Sequence, residues 1–508
     1  MKNFLLSTLA AVAAIVTLSL AASCTKTNPE TDPEAPENSE ENSYLLRYTA
    51  PEETVPDEWA GYRHGFDAAT GEGWIELPAE VTEIPKKAFQ CSGLTSIEVP
   101  ASVMSIGDRA FDLCHNLGYI TFADGSQLST IGEEAFWNSG LTSIEIPASV
   151  TEIKEETFEC CEDLRSVTFA EGSQLKIIGK EAFWGSGLTS IEIPSSVTEI
   201  KESAFSGCLK LENVRFAAGS HLETFGVEVF AYSGLTSIEI PASVTSIESG
   251  LFGACHRLGS VTFAAGSKLE TIGRSAFHST GLTEISIPSS VISIESSAFQ
   301  SCENLTSINI PASVTRIGDG AFSECANLGS VTFAEGSQLT AIGVGAFSGA
   351  ENYCVYGISS PLAGIEIPAS VTSIGDDAFS YCVNLKTVTF AEESQLKTIG
   401  KRAFSHSDLT DVEIPASVTG INDEAFSGCF KLKTVKSFVS FPPYIGRYIF
   451  LDCPELVAIL VPDGSVLFYK LVWSDYSEFI APDVPDGSDD AYKSSWPEYA
   501  QIIRGENQ

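Results

Sequence analysis

The sequence predicts a solenoid of about 15–16 coils of 22–25 residues, with a parallel β-sheet on one face and short helical or 3₁₀ turns on the other. Three observations predict it. The phrase LTSIEIPASVT begins at Leu141 and again at Leu235, and LTSIEIPSSVT begins at Leu188. The Pro of that phrase falls at 100, 147, 194, 241 and 288, each step 47, and again at 311, 368 and 415. An Ala-Phe-like dipeptide carries its Phe from position 89 through to 450, with a spacing that alternates 22 and 25 as far as Phe299. Each 47-residue period therefore holds two coils. Phe299 to Phe322 and Pro288 to Pro311 are both 23, so half a period is missing there and the single coil is the structural unit. Such repetition replaces the several separate cores that 508 residues would otherwise imply.

Residues 1–23 have one charge, Lys2, followed by an apolar run from Phe4 to Ala22. That is the pattern of an export signal. A permanent span is the alternative, but the run ends in Ala21-Ala22-Ser23-Cys24 and not in a basic stop. Ala-Ala-Ser-Cys resembles a bacterial lipobox, which implies a lipidated Cys24 and an outer-membrane or cell-surface lipoprotein. Ala21 stands where such boxes usually carry Leu, so ordinary signal cleavage stays open. Residues 24–43 are acidic and Pro-containing with no large apolar side chain, and read as a disordered tether. Residues 44–77 hold Trp59, Tyr62, Phe66 and Trp74 and are expected to cap the first coil.

The solenoid is expected over residues 78–435. Leu141, Ile144, Ile146, Val150, Ile153 and Phe158 show the coil's apolar spacing. Ile144-Glu145-Ile146 alternates in, out, in, as a half-buried strand does. Pro147 stops it, because proline brings no N–H to a ladder. The G-x-x-A-F portion reads as one tight turn. A single coil cannot bury its apolar side, whereas stacked coils share one core. Residues 436–508 are read as a C-terminal cap. VPDGSVLFYKLVWSDYSEFI from Val461 is echoed by VPDGSDDAYKSSWPEYAQII from Val484.

L-x-x-I-x-I-P-x-S-V-T-x-I-G-x-x-A-F-x-x-C resembles the BspA-type leucine-rich repeat family of bacterial surface proteins. The resemblance implies a leucine-rich repeat solenoid and a role in cell-surface adhesion or protein recognition.

Chemistry is sparse. Lys plus Arg is 29 and Asp plus Glu 67, a net charge of −38, which disfavours nucleic acid as a partner. The membrane is expected only through the lipid on Cys24. The six His lie outside metal-ligand spacing, no nucleophile elbow or phosphate loop occurs, and titratable groups spread along the axis. Neither an enzyme nor a cofactor is expected. His256 beside Cys255 is read as structural, and Asp376-Asp377 as solvated charge.

Of thirteen Cys, ten recur just after the Phe and mark a buried slot, Cys91 at two residues and the others at three. Only Cys302–Cys325 and Cys429–Cys453 occupy it on adjacent coils, and free thiols or disulfides both stay open there. The outward strand row carries Glu98, Glu145, Glu192, Glu239, Glu366 and Glu413 among Thr and Ser. It is the candidate docking face for an extracellular protein, with a glycan as the alternative ligand. A second candidate is the insertion after Phe347, where Tyr353 and Tyr356 interrupt the period.

Overall fold

The computed structural model describes residues 44–349, 361–439, 444–463 and 502–505. Tyr353, Tyr356, Cys24, the tether and nearly all of the duplicated C-terminal motif lie outside the described residues.

The coil at Leu141 shows how the sequence folds. Ser143–Ile146 is a strand whose Ile144 and Ile146 are buried while Ser143 and Glu145 are exposed. Pro147 ends it, and its carbonyl accepts the N–H of Val150 in a tight turn. Glu152–Ile153 then forms a two-residue strand. Leu141, Val150, Ile153 and Phe158 point into one continuous core with no exposure.

Three hydrogen-bonded ladders join the coils. The first uses the four-residue strands. It begins in an eleven-stranded sheet that ends at Ser260–Phe263. Its coils pair as doublets. Ser143–Ile146 matches Ser166–Phe169 at four positions, whereas Ser166–Phe169 matches the next strand only at Ser166↔Ser190. The coil carrying Phe169 has the longer turn, Ala170 to Leu175, which splays the strands apart. The second ladder stacks the two-residue strands, from Glu83–Ile84 to Tyr444–Ile445, in sheets of seven and nine.

The third ladder corrects the expectation of helical or 3₁₀ turns. The 3₁₀ helix Asp57–Trp59 lies in the cap, and none of the described turns around a Phe is one. Around each Phe but Phe347 the backbone instead alternates: the residues two before and two after are left-handed, as at Glu156 (φ 54°) and Cys160 (φ 58°) around Phe158. A left-handed residue breaks a run of i→i+3 bonds and aims its peptide groups along the solenoid axis. The N–H groups of Glu156, Phe158 and Cys160 therefore donate to the carbonyls of Lys180, Ala182 and Trp184 on the next coil, at 2.8–2.9 Å. These bonds all point the same way and offset the left-handed cost of about 1–2 kcal/mol per residue. Inside this ladder the Phe rings stack from Phe89 to Phe450, with centroids 5.1–5.8 Å apart.

The missing half-period leaves a visible mark. Residues 284–287 belong to no strand. A strand of the Ile-x-Ile type pairs fully with the Phe-type strand that follows it, and here the follower is a second Ile-x-Ile coil, Ser307–Ile310. The other two ladders cross the junction intact: Ile294 pairs with Ile317, and Phe299 stacks on Phe322 at 5.1 Å.

At the N-terminal end, β1 (Leu45–Thr49), β2 (His64–Asp67) and β3 (Glu72–Glu76) form an antiparallel cap, with β1 joined to the first strand Ser96–Val99. Trp59 is the plug: it meets Phe89 edge-on at 6.1 Å. Tyr62 and Phe66 pack against the core. Trp74 does not cover the coil, because it lies opposite Arg47 on the outward side of the sheet. At the other end the parallel ladder runs on past residue 435, through Ala458–Val461 to Ile503–Gly505.

Candidate functional site

The outward strand row is a straight column because parallel strands in register place equivalent residues side by side. Glu98 stands beside Thr121, Glu145 beside Thr168, Glu192 beside Arg215, and Glu366 beside Thr389. Glu98, Glu145, Glu192, Glu239, Glu366 and Glu413 are all exposed. Between successive carboxylates stand Thr121, Thr168 and, between Glu192 and Glu239, the cation Arg215. At the missing half-period the column is neutral: the Thr332 hydroxyl donates to Asn309 Oδ1 at 3.0 Å.

Sequence reasoning missed what brackets this column. Arg47 of β1 pairs in register with Glu98, and Trp74 sits next to Arg47 under the Arg63 guanidinium, 5.6 Å from the ring centroid. At the far end Glu413 is followed by Lys436, Leu460 and Arg504. The acidic stretch thus ends in cations on both sides. Lys436 follows the repeat spacing and was readable; Arg47 sits on an antiparallel cap strand that no repeat pattern announces. Tyr119 is the one aromatic at an outward position of the described four-residue coil strands, 56% exposed.

The turn side carries the other charged groups. Arg402 holds Asp377 with two bonds of 2.7 and 2.8 Å, and Asp376 Oδ1 accepts the Lys401 N–H. This pair joins neighbouring coils and is more than solvated charge. Glu156, Glu159 and Glu181 bring carboxylate oxygens within 4.8 Å of one another. Burial, then the charge of Glu156, pushes the Glu159 carboxyl up to about 8, while the Trp137 indole N–H pulls it down. Burial also raises Glu156.

The cysteine slot is structural. Cys161 Sγ donates to the Phe136 carbonyl at 3.0 Å and lies 3.4 Å from Ser139 Oγ. Cys208, Cys255 and Cys429 repeat both contacts. In the first coils the alternate partner is therefore Ser, a regularity that counting Cys alone overlooks. Cys91 is not in the slot; it is a left-handed turn residue, and Ser92 takes the place beside Cys114. Burial pushes Cys208 up to about 12 and Cys255 up to about 11, so neither is a ready nucleophile. Every described Cys of the slot is a thiol and none is in a disulfide. No helix among the described residues is long and apolar enough to cross a membrane.

Stacked 22–25-residue coils with a parallel strand ladder define a leucine-rich repeat solenoid. The chain belongs to the BspA type leucine rich repeat family, whose pattern matches residues 82–212, 223–354 and 350–476. Among solved structures it is similar to a leucine-rich repeat protein of Bacteroides ovatus, at 26% identity over 70% of this chain and 82% of that one, with a TM-score of 0.46. A leucine rich cell surface protein of Faecalibacterium prausnitzii matches at 24% identity over 81% of this chain and 96% of its own, with a TM-score of 0.34. The pneumococcal vaccine antigen PcpA matches at 20% over 72% and 73%, with a TM-score of 0.33. No curated protein matches the chain.

Proposed function

We propose that the chain is a non-catalytic recognition scaffold for adhesion at the bacterial cell surface, and that its outward strand face docks a cationic extracellular protein. The observation that carries this is the exposed column of Glu98, Glu145, Glu192 and Glu239, each at the outward position of a strand paired in register with the coil after it. Family membership supports a presented surface over a reaction centre, since a solenoid spreads its groups along an axis. In this reading residues 1–23 direct export, Cys24 carries a lipid, and the acidic tether holds the solenoid off the membrane.

The carboxylates act together. One exposed ion pair contributes about 0–1 kcal/mol, whereas a summed field steers a cationic partner and fades with salt. The test immobilises residues 24–508 against purified matrix proteins of basic and acidic isoelectric point, beside a glycan array. Basic proteins are expected to bind, more weakly at high salt. Changing Glu145, Glu192 and Glu239 together to Gln should lower both affinity and salt dependence. Changing Tyr353 and Tyr356 to Ser should do neither, and loss with that change alone would move the site to the insertion.

Glycan capture is the second reading. It is favoured by Trp137 and Trp184, which are half-exposed at the same turn position with Glu159 between them. Rings beside carboxylates suit sugar faces and hydroxyls, and binding confined to the array would select this surface.

A further inference from the structure

We infer that Cys429 and Cys453 form a redox-active dithiol, a modification site where a low-molecular-weight disulfide closes a cross-link between two adjacent coils at the C-terminal end of the repeat. Both residues stand three after their Phe, Phe426 and Phe450, whose rings stack at 5.8 Å. The backbones between them are in register: the N–H groups of Glu424, Phe426 and Gly428 donate to Arg447, Ile449 and Leu451 at 2.7–2.9 Å. Equivalent residues of hydrogen-bonded neighbours lie about 5 Å apart at Cα, inside the range of about 4.4–6.8 Å that a disulfide spans. Each thiol donates to the Phe carbonyl of the coil before it, at 3.2 Å, so both sulfurs occupy equivalent positions in one column.

This pair differs from the rest of the column. Most slot cysteines face Ser or Thr on the coil before, as Cys161 faces Ser139 and Cys302 faces Thr280, and a hydroxyl cannot close a bond to sulfur. Cys302–Cys325 is the other adjacent pair, but it lies mid-array with stacked coils on both sides. Cys453 belongs to the last coil whose Phe joins the ring stack among the described residues. The neighbouring Cys453 also holds Cys429 below the ordinary thiol while Cys453 itself is raised, whereas burial raises Cys325 well above it.

The chemistry is thiol–disulfide exchange. One thiolate of the pair attacks a sulfur of the small disulfide, forms a mixed disulfide and expels one thiolate. The second thiol of the pair loses its proton to that leaving group and attacks the bound protein sulfur, expelling the other. The pair is oxidised by two electrons, and one disulfide becomes two thiols.

The test incubates the folded full chain with oxidised glutathione, then alkylates free thiols and maps peptides by mass. The expected result is loss of two alkylatable thiols, a peptide joining Cys429 to Cys453, and slower hydrogen exchange over residues 444–461 that reverses with dithiothreitol. Cys429→Ser and Cys453→Ser should each abolish the cross-link. Both should fold, because Ser fills the same slot at Ser139 and Ser186. Full alkylation of both cysteines after oxidation would overturn the inference. So would a cross-link that forms only in denaturant, or oxidation that favours Cys302–Cys325.

Discussion

At the residue scale, Glu159 is the titrating group whose environment departs furthest from water among the carboxylates. Its carboxyl is half-buried beside Glu156 and Glu181, so its proton is held to about 8 against an ordinary 4.5. The folded state therefore binds more protons than the unfolded one between those values. Stability must fall as pH rises through that window, and the whole penalty is present above it. Glu159→Gln removes the charge and keeps the shape. It should raise the thermal midpoint at pH 9 and leave it nearly unchanged at pH 4, with slower exchange in residues 156–161 only at the higher pH. Equal shifts at both values would refute the assignment. The sequence marked Glu159 only as one acid among 67, since its neighbours Glu156 and Glu181 converge through coil stacking. The Cys slot was more legible, because its period is the coil itself.

At the element scale, strands were readable and turns were not. Ile-x-Ile and Val-x-Phe announce a half-buried strand directly. The turn hides its conformation because Glu, Ser, Lys and Arg occupy left-handed positions that Gly usually signals. Those residues are held left-handed by bonds to the next coil, and such bonds exist only after stacking. The Phe column depends on the same stacking. Phe205 is fully buried and stacks 5.2 Å from Phe183 and 5.6 Å from Phe230. Phe205→Ala removes both contacts and leaves a cavity, a loss of about 3–5 kcal/mol. In a solenoid the damage is nearest-neighbour. Hydrogen exchange should accelerate over residues 180–230 while coils near Phe111 and Phe404 keep their protection. Uniform acceleration along the whole array would contradict a one-dimensional core.

At the scale of the whole molecule, the repeat doublet is the unit of the strand ladder, and the single coil is the unit of the other two. That division explains why losing half a period broke the strand sheet at residues 284–287 and left the Phe stack and short strands continuous. The sequence showed the missing half-period as a step of 23, but it did not show which ladder would fail. Strand pairing depends on which coil type follows, and both types share the same inward spacing. A second gap can be made by the same rule. Deleting Leu164–Gly187 removes one Phe-type coil and brings Leu188 to the place of Leu164. Ser143–Ile146 then loses the partner it matches at four positions and meets another Ile-x-Ile strand. Its amides should exchange as fast as those of residues 284–287 do in the parent, while amides of Glu156, Phe158 and Cys160 remain protected by the turn ladder. Deleting a whole period from the parent instead, Leu188–Gly234, keeps the order of coil types and should leave both sets protected. If the half-period deletion also kept residues 143–146 protected, coil order would not govern the sheet, and the break at residues 284–287 would need a cause in its own side chains.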